Sequence, residues 1–439
     1  MKLNAKRTFL VGLAFMSISA FWNLYDNMVP LILDQTYGLG ETWTGVVMAM
    51  DNIAALFLLP LFGALSDRCG RRIPFILWGS LAAAALTVGM TAVVRQGVAA
   101  PVPGQGLGSF LLVLALLLIA MGTYRSPAVA LMPDVTPKHL RSKGNAIINL
   151  MGAIGGALML VLPKFMVTNV TTGSGVVVGD YTWLFVTAAV IMVVSALVVK
   201  LVIPEKQLKA AADAVNAERE AAQAPAEVAD AAHARKLSRV ELRSLVLLLL
   251  SVFLWFMAYN AVTTAFSRYA LKIWGIDVGD ASFCLLVATA AAIVSYWPVG
   301  VVSSHLGRKK VILAGVVMMV AGFAAGFLLG GLSVLAYAAF ALVGIGWAAI
   351  NVNSYPMVVE MAAGCDVGKY TGYYYTFSMA AQVATPVLSG ALMEHVGYWT
   401  LFVYAAVMAA AAFCTMIFVR HGDSKPAAKR GLEALDVED

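Results

Sequence analysis

The amino-acid sequence predicts an all-α membrane protein of 12 transmembrane helices, arranged as two six-helix pseudo-repeats with both termini cytosolic. Composition is the first reason. Of 439 residues 61% are hydrophobic and 12% charged, with a mean hydropathy of +0.83, a balance foreign to ordinary soluble domains. The second reason is the spacing of apolar runs of about 20 residues, the length that crosses ~30 Å of hydrocarbon. The third is a short basic turn, Gly63-Ala-Leu-Ser-Asp67-Arg-Cys-Gly70-Arg71-Arg72, which returns as Gly300-Val-Val-Ser-Ser304-His-Leu-Gly307-Arg308-Lys309 at an offset of 237 residues. Two such turns between apolar runs imply two related halves.

The first six runs are Phe9 to Leu33, Trp43 to Leu65, Ile73 to Val94, Phe110 to Met132, Ala146 to Phe165 and Trp183 to Ile203. The second six are Leu245 to Phe266, Ala281 to Val302, Val311 to Leu329, Leu332 to Val359, Tyr373 to Met393 and Tyr398 to Val419. Lys2, Lys6 and Arg7 before the first run mimic a secretory leader. The run is 25 residues long and carries Asn23 and Asp26, so it reads as an uncleaved helix. Pro204 to Arg243 is Ala-rich with mixed charges and reads as a solvated, partly helical linker. Ala99 to Ser109 and Thr168 to Asp180 are rich in Gly, Pro and Thr and read as flexible external turns. The expected domains are a first bundle at 1–203, a cytosolic linker at 204–243, a second bundle at 244–420 and a cytosolic tail at 421–439.

A net charge of +6 could suggest a nucleic-acid partner, but its distribution follows membrane topology and none is expected. Of 30 Lys and Arg, only Arg95, Lys164, Arg268 and Lys272 fall in external segments and Arg125 in a span. The remainder are cytosolic. Four Cys are scattered without disulfide or metal-ligand spacing, so neither a metal nor a cofactor is expected. The lipid bilayer is the expected surrounding and a monomer the expected functional unit.

The basic turn has the form of a Gly-ended helix followed by cations. Gly63, Asp67, Gly70, Arg71 and Arg72 resemble the signature loop between helices 2 and 3 of major facilitator superfamily transporters. The longer string Ser66-Asp67-Arg68…Ile73-Pro74-Phe75, with Ala130-Leu131-Met132-Pro133-Asp134 after the fourth span, is similar to the sucrose-transporter-like branch and its glycoside and pentoside cation symporter relatives. This resemblance implies the major facilitator fold, a cytosolic latch in which the loop Asp pairs with cations of neighbouring helices, and alternating access. In the second copy Gly300, Gly307 and Arg308 keep the pattern, while Ser304 replaces the Asp and weakens the expected latch. Asp134 and Glu360 end the fourth and tenth spans at equivalent places. They are expected to pair with Arg68, Arg71, Arg72, Arg308 and Lys309.

Charges deep within predicted spans are limited to Asp26, Asp51 and Arg125, each costing roughly 2.5 to 3.5 kcal/mol on insertion scales. All three lie in the first half, and the two acids sit at a similar depth toward the outer side. Arg125 is the natural partner for one carboxylate. The other is the candidate proton carrier, with sodium the weaker option. Asn23, Asp26, Asn27 and Pro30 follow helical spacing and form one polar face beside Trp22.

The internal repeat sets Trp22 on Tyr259, Asn23 on Asn260, Asp26 on Thr263 and Arg71 on Arg308. After an offset change to about 226 it sets Arg125 on Asn351, Asn149 on Tyr375 and Gly156 on Gln382. The second half therefore offers uncharged amides, hydroxyls and rings, including Tyr355 one turn past Asn351. Such groups suit a small neutral polyhydroxylated substrate, bound by hydrogen bonds and by stacking on C–H faces. The leading expectation is proton-coupled symport of a sugar or glycoside across the plasma membrane. An exporter of amphipathic drugs is the rival in the same fold, kept open by 21 Met residues. A membrane-embedded enzyme is the rival of another class, and neither His-Glu-x-x-His nor Gly-x-Ser-x-Gly occurs.

Overall fold

The computed structural model describes residues 4–102, 104–137, 140–223, 238–361 and 367–422. The stretches 224–237 of the expected linker and 423–439 of the expected tail lie outside the described residues. Contacts divide the chain into two compact units, one of Met1–Arg219 with Asp277–Phe283 and the other of Glu220–Ile276 with Cys284–Asp439.

The first unit holds α1 (Ala5–Gln35), α2 (Glu41–Cys69), α3 (Ile73–Ala99), α4 (Leu107–Asp134), α5 (Arg141–Val161), the single turn α6 (Pro163–Met166), α7 (Thr182–Val202) and most of α8 (Glu205–Gln223). Asn4 starts the first helix by accepting the Arg7 N–H at 3.1 Å. The expected fifth span is kept as one apolar segment, Ile147–Met166, long enough to cross a membrane; within it the hydrogen-bond ladder skips once at Leu162, because Pro163 has no N–H, and α6 resumes the helix. Thr168 to Asp180 is not a flexible turn. Its β-branched residues pair as an antiparallel hairpin of β1 (Thr168–Thr171) and β2 (Val177–Asp180), with Thr168 opposite Asp180 and Thr171 opposite Val177. Gly173 closes it against the Ala99 and Ala100 carbonyls, where a Cβ would come within 2.6 Å.

The second unit holds α9 (Arg239–Tyr269), most of α10 (Val278–Leu306), α11 (Arg308–Leu328), α12 (Val334–Val359), α13 (Val367–His395) and α14 (Thr400–Ile417). The α9 start is a reciprocal cap: Glu241 N–H donates to Ser238 Oγ at 3.2 Å and Ser238 N–H to Glu241 Oε2 at 2.7 Å. This fixes the helix start six residues before the apolar run. At its other end α9 passes into a π-helical turn, Ala270–Trp274, closed by Gly275 in the left-handed region.

The pairs that pack within the first unit, α1 with α5 and α7, and α3 with α4 and α7, have counterparts in the second. There α9 packs with α13 and α14, and α11 with α12 and α14. The repeat read from the sequence is thus a repeat of packing.

Eleven of the described helical segments are long and apolar enough to cross a membrane, and the protein is a multi-pass membrane protein. The expected eleventh span, α13, is 29 residues long but falls outside that set. Its polarity is internally satisfied: Thr376, Ser378 and Thr385 hydroxyls donate to the Gly372, Tyr375 and Ala381 carbonyls. A helix that answers its own hydroxyls lowers the cost of entering a low-dielectric medium.

Candidate functional site

Asp26, Asp51 and Arg125 stand on α1, α2 and α4, three helices that pack on one another. Asp51 and Arg125 both act electrostatically on Asp26, and Arg125 acts on Asp51. The expected charge cluster is therefore assembled in the fold. Asp51 is 9% exposed and accepts the Asn52 amide at 2.8 Å. The Arg125 guanidinium lies over the Trp22 ring, 5.1 Å from its centroid, so part of its charge is answered by the π face.

Tyr25, directly before Asp26 in the sequence, belongs to this cluster. It is 1% exposed, lies within electrostatic reach of both carboxylates, and its hydroxyl has no hydrogen-bond partner among the described residues. Trp22 and Tyr25 are edge to face at 5.4 Å, and the Trp22 indole N–H is likewise buried and unanswered. Both are donors with no acceptor among the described residues.

The polar face of α1 is narrower than the sequence suggested. Asn23 and Asp26 are half-buried, while Asn27 is 6% exposed and donates its amide to the Asn23 carbonyl at 2.9 Å. Pro30 is buried in packing as well. Asn23 donates to the Ser19 carbonyl at 3.1 Å and sits against Gly156 of α5, where a Cβ would come 2.6 Å from the amide nitrogen. Gly156 is the position that the repeat equates with Gln382. One half keeps space there for an amide from α1, and the other supplies an amide from α13. Asn149 is half-buried on α5.

In the second unit Tyr259 and Trp347 stack at 3.9 Å with their planes 3° apart, and Phe256 meets Trp347 edge to face at 5.1 Å. Tyr374 lies edge to face with both Tyr355 and Tyr375, at 5.4 and 5.7 Å. Hydroxyls pin this aromatic group: Ser354 to Tyr374 at 3.0 Å and Tyr355 to Thr371 at 3.0 Å. Asn260 and Gln382 turn their amide N–H toward their own helices, onto the Phe256 and Ser378 carbonyls at 2.9 and 3.4 Å. Asn351 is half-buried one turn from Trp347. Phe256 carries no polar signal in the sequence, where it is one of several aromatic residues of an apolar helix.

The basic turn builds a second centre around Arg72. Its Nε donates to Asp134 Oδ2 at 2.9 Å, Nη2 to Asp67, and Nη1 to Ser66 Oγ and, at 3.4 Å, to the Gly63 carbonyl. Burial works against this cation, and the Asp134 and Asp67 carboxylates outweigh it and hold its pKa above the ordinary value. Gly70 ends α2 in the left-handed region at φ +65°, and a Cβ on Gly63 would come 2.8 Å from Ser126 Oγ. Glu205, absent from the expected latch, is 8% exposed and caps α3. Its two carboxylate oxygens accept the Arg72 N–H and, at 3.1 Å, the Ile73 N–H.

Arg71 and Arg72 do not share the work. Arg71 is exposed; Arg72 is buried and carries the pairs. In the second unit Arg308 pairs with Glu360, as Arg72 does with Asp134. This corrects the sequence register, which set Arg71 on Arg308. The first turn runs Gly70, Arg71, Arg72 before its helix, whereas the second has Gly307 alone as N-cap. Lys309 donates to the Ile417 and Val419 carbonyls at the end of α14, at 2.7 and 2.6 Å. Ser304 donates to the Val301 carbonyl, and Gly300 has open space about it.

The family model described as the Major Facilitator Superfamily matches residues 10–273 and 248–437. Sucrose transport protein SUC4 of Arabidopsis thaliana is 30% identical over 138 residues, 28% of this chain and 26% of that protein. Sucrose transport protein SUT3 of Oryza sativa subsp. indica is 26% identical over 172 residues, 36% of this chain and 34% of that one. These matches thus span about a quarter to a third of the relatives' own length. Among solved structures, a D-xylose-proton symporter superposes with a TM-score of 0.66 at 15% identity, covering 95% of this chain and 98% of the other. The nucleoside transporter NupG gives 0.66 at 15% identity, covering 95% and 100%. At that identity the likeness is one of fold.

Proposed function

Because this chain belongs to the Major Facilitator Superfamily, we propose that it is a secondary active transporter of the plasma membrane, acting as a monomer to carry a sugar or glycoside by proton-coupled symport with alternating access. The observation that carries this reading is the cluster of Asp26, Asp51 and Arg125 on three packed helices. A carrier that only binds a neutral molecule gains nothing from two acids and a base in its interior, each costing roughly 2.5 to 3.5 kcal/mol to insert. With one carboxylate balancing Arg125, the other is free to take up and release a proton.

The substrate class is drawn from the second unit and from the relatives. Tyr259, Tyr355 and Tyr375 are half-buried rings, Tyr259 held by its stack on Trp347, and Asn260, Asn351 and Gln382 offer amides without charge. With their N–H groups turned to their own helices, Asn260 and Gln382 present carbonyl oxygens, which suit the O–H donors of a polyol. Two plant sucrose transport proteins among the relatives support the same class.

Uptake into proteoliposomes of a labelled panel of mono- and disaccharides, with an imposed pH gradient, a sodium gradient and neither, tests this. Accumulation of a sugar that follows the pH gradient is the expected outcome. Accumulation that follows only sodium overturns the proton. Extrusion of amphipathic dyes with no sugar uptake overturns the sugar reading and restores the exporter.

A further inference from the structure

A cleft of about 290 Å³ opens where α3 begins, α7 ends and α8 begins. Three cations line it, Arg71, Lys200 and Lys206, together with apolar walls from Ile73, Pro74 and Ile203. Its acid, Glu205, is buried and already committed to the Arg72 and Ile73 N–H groups, so it neutralises little of the cationic rim. All three cations are exposed and available.

The cleft also has a fixed depth. Lys200 lies in the last turn of an apolar helix and Arg71 just before the first turn of another, so both stand at the level where a membrane-spanning segment meets the headgroup layer. On the membrane side of them the packed helices α3 and α7 expose Trp78 at 70% and Leu197 at 42%. That is a cationic pocket continued by an apolar track, the two chemistries that one phospholipid presents in the same order. We propose that this cleft binds a phosphate-bearing anion, supplied as the headgroup of an anionic phospholipid whose acyl chain lies along Trp78 and Leu197. Juxtamembrane cations of this kind each contribute roughly a fivefold gain in affinity for anionic lipid. Since Arg71 neighbours Arg72, a lipid here sits one residue from the centre that joins α2, α3 and α4.

The full-length protein, purified in mild detergent and supplemented with equal phosphatidylglycerol and phosphatidylcholine, is examined by native mass spectrometry. Preferential retention of phosphatidylglycerol is expected. Arg71→Gln, Lys200→Gln and Lys206→Gln should each lower that preference about fivefold, and the triple variant should abolish it. The matched control, Arg68→Gln with Lys209→Gln, removes charge outside the cleft and should leave it unchanged. Melting curves of every variant establish that the fold is intact, and Trp78→Ala should weaken retention without any change of charge. Inorganic phosphate at millimolar concentration distinguishes the two sources of the anion. Failure to displace the lipid is expected, whereas full displacement makes this a soluble-anion site and overturns the lipid assignment. Equal retention of both lipids, or an equal loss in the control variant, overturns the proposal outright.

Discussion

Arg72 at the N-cap of α3 and Asp134 at the last residue of α4 are joined by an Nε to Oδ2 hydrogen bond of 2.9 Å. The guanidinium is 9% exposed, and its remaining donors reach Asp67, Ser66 and the Gly63 carbonyl. One planar cation thus holds three helices at one end of the first unit. Arg72→Gln leaves two carboxylates without their cation, and the expected loss is on the order of 3 kcal/mol. Arg71→Gln, at an exposed position, should stay within roughly 0.5 kcal/mol. Unfolding titrations in detergent compare the two, and equal losses would place the hub elsewhere.

The two acids of that hub are unequal. Asp67 is 64% exposed and Asp134 is 23% exposed, so water screens the first pair more than the second. Asp134→Asn should destabilise more than Asp67→Asn in the same titration. The reverse order would mean that Asp67 has a partner of greater weight than Arg72.

Glu205 caps the N-terminus of α3 from the start of α8. Its removal in Glu205→Ala should cost about 1 to 2 kcal/mol, the range of a lost cap. Because the capped N–H groups are those of Arg72 and Ile73, the loss should be non-additive with Arg72→Gln. A double-mutant cycle that returns strict additivity rejects this coupling.

Asn23 and Gly156 share one small volume between α1 and α5. Gly156→Ala should displace the Asn23 amide and lower substrate affinity, whereas in an Asn23→Ala background the same change should do little. A coupling of roughly 0.5 to 3 kcal/mol in binding is expected. If the penalty is the same in both backgrounds, the added methyl disturbs helix packing and not the amide.

The proposed function gives Asp26 and Asp51 the coupling role and Asn260, Asn351 and Gln382 the substrate role. Asp26→Asn and Asp51→Asn should abolish accumulation driven by a pH gradient yet leave downhill exchange measurable. Alanine at any of the three amides should weaken substrate binding by roughly 1 to 3 kcal/mol with proton movement retained. An Asn variant that still concentrates substrate in a pH-dependent way removes that acid from the coupling role.

Much of this was present in the one-dimensional pattern. Span positions follow from apolar length, because a backbone without water must satisfy its own hydrogen bonds as a helix. The buried charges were legible for the complementary reason: Asp26, Asp51 and Arg125 are costly in an apolar run, and costly residues stand out. The repeat was legible because Gly70 and Gly307 both occupy backbone conformations that a side chain resists, at φ +65° and +90°.

The tertiary structure decided what a residue alphabet does not encode. Arg71 and Arg72 are identical as letters, and two extra turn residues determine which one points inward, so the register of the latch differs between the halves by one position. Glu205 resembles any charge at the start of a solvated helix until α8 folds back on α3. Tyr25 and Phe256 are aromatic neighbours of polar positions, and their placement arises only from rings and carboxylates brought close by packing. Thr168 to Asp180 reads as a turn because a four-residue strand has too few residues to show a period, and pairing across Gly173 and Gly175 makes it a hairpin. Composition and helical period are local and survive in the sequence. Which of two like side chains is buried depends on distant atoms, and that is settled only when the helices meet.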